Sequence, residues 1–211
     1  MASYSRDDVI THAQAAVDEA DKATQFSGPM VEGMTSVKIR VLLQALCRLH
    51  GAHYLEIGVW KGATLLAATH DSPLVLATVI DNWSTFGGPH DEFLANLFAV
   101  EDYLPPVEVI NADCWTITPD RIAPPVDVYF YDGCHHTEDQ RRAMSHFWPV
   151  LSKPAIVVVD DWDDQNYDVP GGTRAGLADV GATILAEWER HTAFQADAEG
   201  WWNGVFVAVV A

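Results

Sequence analysis

Two sets of residues in this sequence could do chemistry. The first is the stretch His53-Tyr54-Leu55-Glu56-Ile57-Gly58-Val59-Trp60-Lys61-Gly62-Ala63-Thr64. Tyr54 to Ile57 reads as a buried strand. Gly58 and Gly62 mark a backbone that bends sharply and lets a ligand come close. Ala63 to His70 continues as a short apolar helix. Free N–H groups at a junction of strand, glycine turn and helix suit a nucleotide-like ligand. The spacing is Gly-x-x-x-Gly, not the Gly-x-Gly-x-x-Gly of dinucleotide enzymes. A purely structural turn between a strand and a helix would show the same residues, so the rest of the chain must decide. The second set is acidic. Asp81, Asp113, Asp132 and Asp160 each close an apolar run, and Asp161 follows directly.

The elements that must position these residues are legible from periodicity. Ser5-Arg6-Asp7-Asp8 is a capping box that predicts a helix to about Lys22. Residues 25–35 carry Gly28-Pro29 and Gly33 and read as a loop. Val37, Val41, Leu42, Ala45, Leu46 and Leu49 recur at helical spacing. Leu74 to Ile80 is a continuous apolar run suited to a buried parallel strand, and Val107 to Ile110, Val126 to Tyr131 and Ala155 to Val159 read as the third, fourth and fifth strands. Helices are expected between them, over Pro89 to Tyr103 and Thr137 to Leu151. A last helix is expected from Pro170-Gly171-Gly172-Thr173 to about Glu189. Thr192 to Ala196 and Asn203 to Val210 then read as an antiparallel hairpin. The pattern predicts an α/β fold, a doubly wound, mostly parallel seven-stranded sheet. In such sheets ligands bind beyond the carboxyl ends of the strands, where the acids lie.

Bulk composition narrows the partners. The 211 residues suit a single domain over 1–211, with 1–35 as an N-terminal helix and lid-like cap. A formal net charge of -18 argues against nucleic acid and against an anionic membrane surface as partners. Cys47, Cys114 and Cys134 show no Cys-x-x-Cys spacing, so neither a disulfide framework nor a zinc site is predicted. No signal-peptide run or membrane-length segment is seen, so a cytoplasmic protein is expected.

The chain from about Met34 onward resembles the class I S-adenosylmethionine-dependent methyltransferases. Glu56-x-Gly58-x-x-x-Gly62 is similar to their first motif, which wraps the methionine part of the cofactor. Asp81 matches the acid that receives the ribose hydroxyls, and Asp113 the position near the adenine. The resemblance implies that Gly33, Met34, Thr64, Trp83, Cys114 and Asp132 also border S-adenosyl-L-methionine, with Trp83 or Trp115 over the adenine.

Tyr131-Asp132-Gly133-Cys134-His135-His136-Thr137-Glu138, followed by Val159-Asp160-Asp161, resembles the metal-dependent O-methyltransferases of the catechol and antibiotic-sugar types. That resemblance implies Asp132, Asp160 and Asp161 as ligands of Mg²⁺ or another divalent cation, and hard oxygen donors suit that ion. It implies a small-molecule hydroxyl acceptor. Self-association into a homo-oligomer is common among such proteins. His135, three residues after Asp132, stands where the catechol type carries its catalytic lysine, so it is the expected base and His136 its competitor. Cys134 departs from the sugar-type Asp-Gly-Asp-His pattern. Residues 1–35 and 163–173 are the expected recognition segments, and Trp162 and Tyr167 are expected to line the acceptor pocket. The competing readings are an NAD-dependent oxidoreductase, a non-catalytic S-adenosylmethionine-binding module and a metal-dependent hydrolase.

Overall fold

The structure, a computed structural model, describes residues 4–123 and 125–211. Residues 1–3 of the expected cap lie outside that range. The elements in chain order are α1 (Arg6–Asp21), α2 (Val37–Leu46), β1 (His53–Ile57), α3 (Ala63–Thr69), β2 (Leu76–Asp81), α4 (His90–Phe98), β3 (Val107–Asn111), β4 (Val126–Tyr131), α5 (Thr137–Phe147), β5 (Leu151–Asp160), α6 (Val169–Asp179), β6 (Ile184–Arg190) and β7 (Val205–Val210). The strands form one seven-stranded sheet in the order β3-β2-β1-β4-β5-β7-β6. Neighbours from β3 through β5 pair in parallel; β7 runs antiparallel to both β5 and β6.

Alternation along the central strands splits the core in two. Val128 and Phe130 of β4 face one layer, with the apolar faces of α1, α2 and α3. Tyr129 and Tyr131 face the other, with Ala143, Met144 and Phe147 of α5 and Leu177 of α6. Both faces are covered, which is why these strands read as continuous apolar runs. Val9, Ala13, Ala16, Val17 and Ala20 of α1 are buried in the first layer. The helix of the expected 1–35 cap is therefore core, and among the described residues of that segment only 33–35 reach the cleft described below.

The carboxyl-terminal part differs from expectation. The helix predicted to about Glu189 stops at Asp179, and Ile184–Arg190 is the edge strand β6. Gly181, at φ +67, ends the helix; its N–H donates to Ala178 O, and that of Ala182 to Leu177 O. Thr192–Ala196 is not a strand. It is a loop held by Asp163, which accepts from Thr192 N (2.7 Å) and from His191 Nδ1 (2.7 Å). Among the described residues no helix is long and apolar enough to cross a membrane.

Candidate active site

The order of strands reverses between β1 and β4, and a cleft of about 750 Å³ opens at their carboxyl ends. Its β1 side is the glycine turn. Gly58 sits at φ +85, and a Cβ there would overlap the carbonyl oxygen of Asp132. Only glycine lets the turn after β1 pass so close to the end of β4. Gly62, at φ +88, caps α3 against the Phe93 ring and does not border the cleft.

Asp81 fastens this side. Its Oδ2 accepts from Val59 N (2.8 Å) and Trp60 N (2.9 Å), and its Oδ1 from Trp83 N (2.7 Å). Trp60 and Trp83 both hold positive φ, +44 and +47. Such strain costs about 1–3 kcal/mol per residue and persists only where neighbours enforce it. The bonds to Asp81, and Trp83 Nε1 donating to Trp60 O (2.7 Å), do so here. Trp83 is buried against His90 and Phe93, so only part of its surface borders the cleft. Trp115, under the Arg142 guanidinium, is the more accessible ring. Asp113 accepts from Trp115 N (3.0 Å) and places that ring and Cys114 on the cleft wall. Burial, with Asp113 and Asp139 adding, pushes the Cys114 thiol up to about 12.

Glu56 differs from its expected place. It is fully buried and does not line the cleft. Thr64 Oγ1 (2.6 Å) and Tyr54 Oη (2.8 Å) donate to its two oxygens, so Thr64 stands between it and the cleft. Burial pushes its carboxyl up to about 8, against the opposing pull of those two hydrogen bonds. Residues 33–35 close the cleft from above. Arg40, buried, ties this segment down: its guanidinium donates to Val31 O (2.7 Å) and Ala63 O (3.3 Å). Thr35 lines the cleft with its buried Oγ1 unpartnered.

The β4–β5 side is crowded with acid. Ligand atoms of Asp132, Asp161 and His135 lie within 4.8 Å of one another. Asp161, at φ +55, faces the cleft, whereas Asp160 is buried outside its lining, with Oδ1 unpartnered. Burial, then Asp160 and then Asp161, raises Asp132 well above the carboxylate range; burial and Asp161 do the same to Asp160. A divalent cation would relieve both, so orphaned Oδ1 and the carboxylate donor set fit the implied Mg²⁺. The grouping differs from expectation in that His135 replaces Asp160 beside Asp132 and Asp161.

His135 is not a free base. Its Nε2 contacts Asp161 Oδ2 and its Nδ1 contacts Asp164 Oδ2, each at 2.8 Å. The bond to Asp161 raises the imidazole to about 9, with Asp164 adding and burial opposing. His136 lines the cleft with a more exposed ring, 3.6 Å from Asp139 Oδ2 and edge-on to Tyr167. Tyr167 lines the cleft, but Trp162 is core, stacked on Phe206 at 4.4 Å.

Sequence reasoning missed Asn203, whose Nδ2 donates to Asp161 Oδ1 (2.6 Å), along with Asp164, Asp139 and Arg40. The first two pair across long sequence separations, and nothing local marks them.

A doubly wound sheet closed by an antiparallel strand pair, with a glycine turn and an acid at the switch point, defines a class I S-adenosylmethionine-dependent methyltransferase. Residues 55–162 match the family described as a methyltransferase domain, and the chain belongs to that family. No curated protein matches it in sequence. Among solved structures it is similar to the O-methyltransferase from Bacillus cereus in complex with S-adenosylhomocysteine. That match has 14% identity and TM-score 0.59, and covers 95% of this chain and 91% of that one. It is also similar to the O-methyltransferase TomG from Streptomyces achromogenes, involved in tomaymycin synthesis, at 20% identity and TM-score 0.60, covering 93% and 89%. Cofactor-bound Rv0187 from MTB matches at 18% identity and TM-score 0.56, covering 95% and 88%.

Proposed function

We propose that this methyltransferase moves the methyl group of S-adenosyl-L-methionine to a hydroxyl of a small, phosphate-free molecule, with a divalent cation of the Mg²⁺ type at Asp132, Asp160 and Asp161. One observation carries the reading: a single cleft joins the glycine turn and Asp81 to a crowded set of carboxylates beside the exposed His136. The O-methyltransferases among its structural neighbours favour oxygen as the acceptor. Among the described residues no Lys or Arg lines the cleft, while Asp81, Asp113, Asp132, Asp139 and Asp161 do. That surface repels phosphate and disfavours an RNA acceptor.

In this reading the reaction is a displacement. The oxygen–carbon bond forms, the carbon–sulfur bond breaks, S-adenosylhomocysteine leaves and the hydroxyl proton goes to a base. A bound divalent cation supplies Lewis acidity that eases loss of that proton. Asp81, already fixed by three backbone donors, keeps lone pairs for a ribose diol. Residues 33–35 cover the methionine end, where Thr35 Oγ1 has hydrogen-bonding capacity to spare. Asp132, Asp160 and Asp161 would hold the cation, with His135 and Asn203 orienting Asp161. His136, not His135, takes the proton, because both nitrogens of His135 are engaged. Asp139 and Tyr167 orient the His136 ring. Exclusion of water and alignment of the reacting atoms in such a cleft can be worth roughly 7–11 kcal/mol.

The test is S-adenosylhomocysteine release from a panel of catechol and sugar acceptors, with EDTA and then with Mg²⁺ added back. Turnover that needs the metal supports the reading; turnover indifferent to EDTA removes the metal from it.

A further inference from the structure

Outside the inner carboxylates, the loop between β4 and α5 brings together three residues of a different chemical kind. The Cys134 sulfur, an imidazole nitrogen of His136 and a carboxylate oxygen of Asp139 all lie within 4.8 Å of one another. The cysteine spacing predicted no zinc site, and it could not have shown this grouping, since two of the three residues are not cysteines.

We propose that Cys134, His136 and Asp139 form a second cation site, at the rim of the cleft, for a thiophilic divalent ion of the zinc class. Donor chemistry separates it from the inner set. Carboxylates favour Mg²⁺, whereas a thiolate with an imidazole favours zinc. Zinc stands about 2.0–2.3 Å from such donors, so a tetrahedral site holds them within about 4 Å of each other. His136 and Asp139 are already 3.6 Å apart. The backbone that carries them is fixed, because His136 O accepts from Gln140 N (2.9 Å) in the first turn of α5. The Tyr167 ring edge limits how far His136 can swing. One thiolate and one carboxylate balance the charge of a divalent ion, and the thiol proton is released to solvent on binding. All three residues line the cleft, so a fourth coordination position is open towards it.

A consequence rests on the role given above to His136. Zinc at the rim takes the imidazole lone pair and slows methyl transfer. The binding itself does not depend on that role.

The experiment uses the full chain stripped with EDTA and titrated with Zn²⁺ by calorimetry. In parallel, iodoacetamide labelling of Cys134 is followed by peptide mass. Cys134→Ser and Asp139→Asn should each weaken Zn²⁺ binding by about tenfold or more, a loss of about 1.4 kcal/mol or more. Asp161→Asn should leave the rim affinity within about threefold. Zn²⁺, but not Mg²⁺, should protect Cys134 from alkylation. Both rim side chains are accessible, and thermal melts check that the variants fold. Zn²⁺ affinity unchanged in Cys134→Ser, or lost only in Asp161→Asn, overturns the site. Zn²⁺ that binds with Cys134 protected yet leaves turnover untouched upholds the site and overturns His136 as the base.

Discussion

The two halves of the cleft solve opposite problems with the same side chain. On the β1–β2 half, Asp81 is satisfied by three backbone N–H groups and in turn holds two strained tryptophans in place. On the β4–β5 half, Asp132 and Asp160 repel each other in buried surroundings, and one Asp160 oxygen has no partner. The first half is built before any ligand arrives. The second gathers buried carboxylates, with His135 bonded between Asp161 and Asp164. A carboxylate at a strand end therefore has no fixed meaning; what its neighbours donate decides whether it organises backbone or waits for a cation.

This contrast can be broken most forcefully at Asp132. Asp132→Asn should lower kcat by about 10³-fold or more, since metal assistance is worth several kcal/mol. S-adenosylhomocysteine affinity by calorimetry should stay within a few-fold. A loss of cofactor affinity as large as the loss of rate would merge the two halves. Next, His136→Ala should lower kcat by about 10²-fold or more, within the usual range for a positioned base. His135→Ala should act instead on metal affinity, read as a higher Mg²⁺ requirement. The reverse pattern would return the proton to His135.

On the other half, Asp81→Ala should destabilise the fold by about 1–3 kcal/mol by leaving backbone donors unpaired, and should weaken S-adenosylhomocysteine binding to a similar extent. Urea titration and calorimetry measure the two. An unaltered denaturation midpoint would mean that the turn does not depend on this carboxylate. The smallest effect concerns Glu56. Its folded pKa of about 8 lies above the unfolded value near 4.5. The stability linked to its proton is therefore complete below about pH 4.5 and is lost as pH rises towards 8. Glu56→Gln should remove roughly 1 kcal/mol of the fall in stability between pH 7 and pH 8. Parallel pH profiles for wild type and variant would place the charge elsewhere.

What the sequence made legible follows the same division. Strands β2, β4 and β5 were visible because burial on both faces leaves long apolar runs, and the glycine turn because Gly58 has no substitute beside Asp132. Strand β6 was misread. Ile184-Leu185-Ala186-Glu187-Trp188-Glu189-Arg190 is rich in helix formers, and in the structure it is a half-buried edge strand with no clean alternation to mark it. The helix stop at Gly181 was present in the sequence but outweighed by that propensity. The acid-side pairings were beyond local reading. Nothing near His135 announces Asp164, and nothing near Asp161 announces Asn203; only the fold brings them together. The separate directions of Asp160 and Asp161 follow from one positive φ that composition cannot show.

The central claim is that a preformed cofactor half works only beside a cation-dependent acid half. Its most direct measurement is made on one EDTA-treated sample of the wild-type chain. S-adenosylhomocysteine binding is followed by calorimetry, and methyl transfer to an acceptor found in the panel is followed as Mg²⁺ is restored. The account predicts cofactor affinity that changes by less than about threefold, a shift under about 0.7 kcal/mol, while turnover rises from background to full rate. Full turnover in EDTA, or cofactor binding that appears only with Mg²⁺, would contradict it.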